Sequence, residues 1–353
     1  MIQQPAQLRW WMAFSLLAVR MTALAASDGL PRGWSEAPYV RYEAESGTWG
    51  GGAVARTAFD FDPEQTAAEA SDRQYLGLPE LSAFVQWTVT NRGEGLTLRF
   101  TLPDSAGGAG VAGSPQVLVN GTNVATVNLG SYWAWTYFVS SNPQNTPGVR
   151  PRMRFDEIHF GLPIILQPGD VLRLQKAVAD GFEYGIDFLE VEEVPPALAK
   201  PAGFVSVTDY GAHGGDANPD SAAFDAAWQA ARTARTGLYL PPGFYVLTNQ
   251  WNIANSTNLA VQGAGIWHTE LHFSRKAPGA GGLHVGEATE RLELSHFFMS
   301  SVLNERHIGG ADVSDYKALD GCFGTSSRVH NLWITHFEAG AWLGDYTAPV
   351  RVT

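Results

Sequence analysis

The sequence predicts an all-β protein with two successive architectures, an antiparallel β-sandwich and then a stack of repeated strands sealed at its start by one helix. Three observations carry that prediction. Short alternating segments bounded by turn residues follow one another from Tyr39 to Val194, the pattern of antiparallel strands with one buried face. Beyond residue 204 a polar residue followed by L-x-[V/L/I] recurs, at Asn258-Leu259-Ala260-Val261, Arg291-Leu292-Glu293-Leu294 and Asn331-Leu332-Trp333-Ile334. Such spacing suits a solenoid with loop insertions. Between these regions lies one helical stretch, inside "VTDYGAHGGDANPDSAAFDAAW".

At 353 residues the chain is long enough for two domains. Apolar residues make up 45% and aromatics 12%, ample for packed cores. The net charge of −12 repels phosphate backbones and anionic lipid surfaces, so neither nucleic acid nor membrane is an expected partner. One cysteine, Cys322, permits no internal disulfide.

Taken in order, the N-terminus carries Arg9, an apolar run from Trp10 to Val19, and Ala23-Leu24-Ala25. That is the layout of a secretory signal, its apolar run too short to span a bilayer. Residues 1–26 are therefore expected to be a signal peptide, residues 27–38 a leader, and the mature chain an exported, soluble monomer. The segments "VRYEAE", "AFVQWTVT", "LTLRFTL", "QVLVNG", "DEIHFGL", "DVLRLQKA" and "GIDFLEVEEV" are the strands of a sandwich over 39–194. Asn120-Gly121-Thr122 fits a glycosylation sequon, but the same residues make a good hairpin turn, the preferred reading.

The Pro-rich stretch "VPPALAKPAGF" cannot enter a sheet interior, and residues 195–203 are read as a linker. A strand over Phe204 to Thr208 precedes a helix from about Ala222 to Thr233, capped by Asp220 or Ser221, with Phe224, Ala227, Trp228 and Ala231 on one buried face. Strands then follow to the end of the chain. An isolated helix ahead of stacked strands makes sense as a cap on the open end of a coil.

The stretch "VTDYGAHGGDANPDSAAFDAAWQAA", with "GLYLPPGFYVL", "LAVQGAG" and "TELHF", resembles the start of the right-handed parallel β-helix of the pectate-lyase superfamily. The first domain, with "YEAE", "VLVNG" and "YGIDFLEVEEV", looks like a jelly-roll carbohydrate-binding module of the family-six type. Their order, followed by "NLWITHFEAGAWLGDY", is similar to bacterial mycodextranases and α-1,3-glucanases. That resemblance implies an inverting endo-hydrolase of α-1,3-glucan or nigeran-type glucan, with residues 204–353 as the N-terminal part of its catalytic coil.

In the binding-module family a structural calcium is held by carboxylates of the first and last strands, and the matching residues are Glu43, Glu45 and Asp187. Glu43 and Glu45 lie two apart on a strand and so face the same side, which suits a hard cation taking several oxygen ligands. The run "GSYWAWTYF" gathers aromatics just after a strand. Aromatic rings pack on the C–H faces of sugars, making Trp133, Trp135 and Tyr184 the candidate α-glucan-binding residues, with core burial the competing role for each.

An inverting glycosidase needs an acid and a base carboxyl roughly 6.5–9.5 Å apart. The resemblance implies an Asp on one rung and an Asp-Asp pair on the next, after the segment resembling "HFEAGAWLGDY". The chain contains no Asp-Asp pair and ends at Thr353, so the catalytic carboxylates are expected beyond Thr353, on rungs that a truncated chain lacks. Asp320 in the turn-like "LDGCFG", Asp345 and His336 are the remaining carboxyl and imidazole candidates, each with a structural explanation as a turn, a loop cap or a core histidine. His268 and His272 flank a strand, where i, i+4 spacing forms no helical zinc site. A different class of reading is a non-catalytic carbohydrate-binding or adhesive protein in which the short coil is a scaffold.

Overall fold

The computed structural model describes residues 38–62, 64–139, 142–144, 151–254, 256–286, 289–303, 316–344 and 351–352. The expected signal peptide, nearly all of the leader and Asp345 lie outside them. The described residues are nearly all β, with a single α-helix.

In the first part, two antiparallel sheets face one another. One runs Asp156–Leu166, Gly93–Thr101, Tyr184–Glu192, Gln74–Leu78, Val54–Thr57, with Tyr39–Glu43 also paired to Tyr184–Glu192. The other runs Thr48–Gly50, Phe84–Thr88, Val171–Gln175, Gln116–Val119, Thr122–Thr126. Alternation in "LTLRF" and "VLRLQ" turns Leu96, Leu98, Phe100, Leu172 and Leu174 inward, and residues of both sheets share one buried cluster. Asn120 and Gly121 turn the hairpin between Gln116–Val119 and Thr122–Thr126 with φ of 51° and 82°, as the hairpin reading expects of an Asn-Gly pair.

The second part is parallel throughout. Val205–Ser206, Leu238–Leu240, Ala260–Gly263, Glu293–Ser301, Arg328–Ile334 and Arg351–Val352 stack as successive rungs. Gly243–Leu247 and Thr269–Phe273 continue the same sheet alongside Glu293–Ser301. A second parallel sheet holds Trp251–Asn252, Leu283–Val285, Lys317–Cys322 and Ala339–Gly344. Inward residues of the successive rungs share one apolar cluster that includes Leu240, Val261, Leu294 and Val329 in one sheet and Leu283 and Leu319 in the other.

The helix spans Ser221–Ala234 and buries Phe224, Ala227, Trp228 and Ala231, the four residues its spacing selects. It covers the first rungs, with Phe224 meeting Tyr245 and Trp251 edge-on at centroid distances of 5.3 and 5.1 Å. Two local expectations are corrected. Asp220 makes no side-chain cap; its carboxylate accepts from the amides of His213 and Val246 instead, at 2.8 and 3.0 Å, tying the preceding loop to the coil. The strand expected over 204–208 is only Val205–Ser206, because Val207–Tyr210 winds into a 3-10 turn ended by Gly211 at φ 95°.

The repeat is also corrected at its third member. Val261 pairs with Leu294, but Leu294 pairs with Val329, so Asn331-Leu332-Trp333-Ile334 lies further along the same rung. Local conformation explains the confusion, since Asn258, Arg291 and Ser326, which open the three true repeats, and Asn331 all sit at positive φ. Asn331 matches His296 on the rung before, also at positive φ, where each strand bends.

Between Gly263 and Thr269 the chain inserts the short loop 264–268, which reaches the sandwich. Trp267 Nε1 donates to Glu192, and His268 Nε2 lies 2.7 Å from the Pro195 carbonyl. Beside it the sandwich strand Asp156–Leu166 rests on the coil. His159 packs against Trp333, Phe298 and Trp267 at centroid distances of 3.3, 4.6 and 5.4 Å, and His336 Nε2 lies 3.4 Å from Asp156.

Candidate functional site

The second parallel sheet presents a row of polar and aromatic side chains to solvent. Its alternation buries Leu283 and Leu319 and aligns Asn252, His284, Asp320 and Trp342 across four rungs, roughly 4.8 Å apart from rung to rung. His284 Nδ1 lies 2.9 Å from Asp320 Oδ2. A carboxylate only accepts, so Nδ1 carries the proton. Trp342 is 64% exposed, and the Lys317 ammonium sits 5.0 Å from its ring centroid.

Asp320 lies in the strand Lys317–Cys322, correcting its reading as a turn residue. The glycine that suggested a turn has another task. Gly321 holds φ 117°, and a Cβ there would sit 1.8 Å from the Val285 carbonyl, so glycine lets adjacent rungs close up beside the His284–Asp320 pair.

The predicted sugar-binding aromatics belong to three different environments. Tyr184 is fully buried in the sandwich core, its hydroxyl donating to Asp180 at 2.5 Å and accepting from the Ser114 amide, and its ring offers no surface to a ligand. Trp133 is half-buried against the core of the coil and stacks on His336 with ring planes 9° apart. Trp135 is half-buried, donating to the Leu102 carbonyl at 2.6 Å and stacking on Tyr137. His336, the imidazole candidate, bridges Trp133 and Asp156.

Glu43, Glu45 and Asp187 come together beside the strand Tyr184–Glu192, with Glu45 in the turn that follows Tyr39–Glu43 rather than on the strand as expected. The charges of Glu43 and Glu45 raise the proton affinity of Asp187, and that of Glu43 raises Glu45. Burial comes first in pushing all three carboxyls above the usual range, Asp187 to about 7, with the neighbouring carboxylates adding to it. Asp187 is the extra residue of a bulge between Ile186 and Phe188, and its oxygens already accept from the Ser71 amide and from Arg99 Nη1 at 2.9 Å. Glu43 and Glu45 each keep one buried oxygen, Oε2, without a partner. The fit to calcium is thus divided: the two glutamates hold orphaned oxygens that a cation would satisfy, whereas Arg99 takes up Asp187. Among the described residues no group of three or more His, Cys, Asp or Glu side chains is arranged to hold a metal.

Sequence reasoning missed His284 and Trp342. The aligned row His284, Asp320, Trp342 is spaced unevenly along the chain, because loops of different length separate its rungs, and no fixed period finds it.

Comparison with known proteins agrees with this architecture. Residues 36–194 match the family model of the α-1,3-glucanase catalytic domain D1, and residues 204–308 that of the rhamnogalacturonase A/epimerase, pectate lyase-like domain. The chain is similar to the Agl-KA catalytic domain, at 46% identity and a TM-score of 0.80, over 88% of this chain and 55% of that one. It is similar to the catalytic unit of a thermostable GH87 α-1,3-glucanase from Streptomyces thermodiastaticus strain HF3-3, at 28% identity and a TM-score of 0.68, over 87% of this chain and 52% of that one. A GH87 α-1,3-glucanase catalytic domain in complex with nigerose shares the fold at a TM-score of 0.68 and 22% identity, over 87% and 53% of the two chains. No curated protein matches the chain. The chain spans about half the length of these solved relatives.

Proposed function

Because the chain is related in sequence and fold to α-1,3-glucanase catalytic domains, we propose that it is an exported α-1,3-glucan-active protein whose coil binds the glucan along the outward row Asn252, His284, Asp320, Trp342. The observation that carries this reading is the row itself. Trp342 supplies an exposed platform for the C–H face of a sugar ring, and Asp320, fixed by His284, accepts its hydroxyls. The direction of the row lets successive glucose units lie across successive rungs.

Hydrolysis with inversion requires two carboxyls on opposite sides of the bond. The described row has one, Asp320, already paired with His284, and we place the catalytic acid and base on rungs beyond Thr353, as the resemblance implies. The first domain is, on this reading, a carbohydrate-binding sandwich with calcium at Glu43 and Glu45, the protein acting as a monomer outside the cell. No helix among the described residues is long and apolar enough to cross a membrane. The pairing of Asp320 favours one second reading, a protein that binds glucan without cleaving it.

Sedimentation with insoluble α-1,3-glucan, followed by an assay for new reducing ends, tests both. Binding that is lost in Trp342→Ala supports the row; reducing ends released by a chain extended through the rungs beyond Thr353 select the hydrolase, and their absence there selects the binder. Equal sedimentation of wild type and Trp342→Ala would remove the row from the account.

A further inference from the structure

A second recess lies on the other sheet of the coil, about 300 Å³ in volume, where the sandwich meets it. Its floor is a row of outward side chains, Phe244, Glu270 and Phe298, paired rung to rung. Strand Asp156–Leu166 of the sandwich forms one wall through His159, and Trp267 and His268 of the inserted loop form another. These walls are fixed: Trp267 donates to Glu192, His268 meets the Pro195 carbonyl, and His159 is stacked on Trp333.

We propose that this recess is a second saccharide subsite, separate from the row on the other sheet, taking one glucose unit of an α-glucan between Phe244 and Phe298 with its hydroxyls on Glu270. The proposal rests on the glucan reading above and extends it to a new site. Three features support it. Phe244 is 40% exposed although it lies in a regular strand, and its ring stacks on His272 at 5.2 Å, which holds it as a flat platform. Glu270 is oriented by a relay in which the Ser300 hydroxyl donates to Oε1 at 2.5 Å while His272 Nδ1 lies 2.9 Å from the same hydroxyl, leaving Oε2 for a ligand hydroxyl. Aromatic rings bracketing an oriented carboxylate match the alternation of C–H faces and hydroxyls around a pyranose ring. The volume stands at the small end of ligand pockets, roughly 300–1,000 Å³, and admits a sugar ring rather than a long chain.

Calorimetric titration of the full chain with nigerose, together with hydrogen exchange, tests it. Wild type is expected to show two sites, with nigerose protecting amides of both 264–273 and 317–344. Phe244→Ala and the isosteric Glu270→Gln should each weaken one site by about tenfold, as expected when a stacked ring or a charge-assisted hydrogen bond is lost. Trp342→Ala should weaken only the other. Thermal unfolding of each variant confirms its fold, and Phe244→Tyr, which keeps the platform, should restore binding. A single site that responds to Trp342→Ala and ignores Phe244→Ala and Glu270→Gln overturns the subsite and spares the glucan reading. No saturable binding of nigerose by wild type sinks both.

Discussion

His159 of the sandwich lies on Trp333 of the coil with ring centroids 3.3 Å apart and planes 27° from parallel. Phe298 and Trp267 close around the same imidazole, so a titratable group is held where water is scarce. The two parts of the chain therefore meet through a contact that is sensitive to pH.

Burial, and secondarily the nearby His336, lowers the His159 pKa from its ordinary value to about 4. A base whose folded pKa is depressed stays neutral in the fold while the unfolded chain takes up its proton. Stability is thus retained above the ordinary histidine range, near pH 6.5, and declines as pH falls from there toward 4. The expected loss is about 2 kcal/mol between roughly pH 7 and pH 5, measured by urea unfolding at each pH. In His159→Phe that part of the pH dependence should vanish.

Trp333→Ala removes the ring on which His159 rests. Both domains keep their own cores, so the expected result is looser coupling, with a single unfolding transition splitting in two and a cost of about 1–3 kcal/mol. Differential scanning calorimetry reads this directly, and one unchanged transition would refute the coupling.

Lys176 is fully buried in the sandwich, and its ammonium lies 2.8 Å from Asp180 and 3.1 Å from the Pro79 carbonyl. Asp180 also accepts from Tyr184. Asp180→Ala leaves a buried cation without its counter-charge and is expected to cost about 3–5 kcal/mol. Asp180→Ala combined with Lys176→Met should recover much of that loss, measured by chemical denaturation.

Calcium bound at Glu43 and Glu45 would satisfy their orphaned Oε2 atoms. Adding millimolar calcium is expected to raise Tm by a few degrees, and chelator to reverse it, since a ligand that binds only the folded state stabilises by mass action. Glu43→Gln with Glu45→Gln should abolish the response; a Tm indifferent to calcium in wild type removes the metal.

Much of this fold was legible in the residues. The strands "LTLRF", "VLRLQ" and "GIDFLEVE", the Asn120-Gly121 turn and the buried face Phe224, Ala227, Trp228, Ala231 all follow from local periodicity and turn chemistry. The third repeat was not, because Asn331-Leu332-Trp333-Ile334 imitates the motif while Val329 holds the register.

Sequence alone determined most of the elements, since alternation, helical spacing and turn residues act over a few neighbours. Tertiary structure alone decided which side chains meet: Tyr184 went into a core, Arg99 reached Asp187, and His284, Asp320 and Trp342 came into one row. The reason is that rung-to-rung register depends on how unequal loops close, and no local pattern encodes that closure.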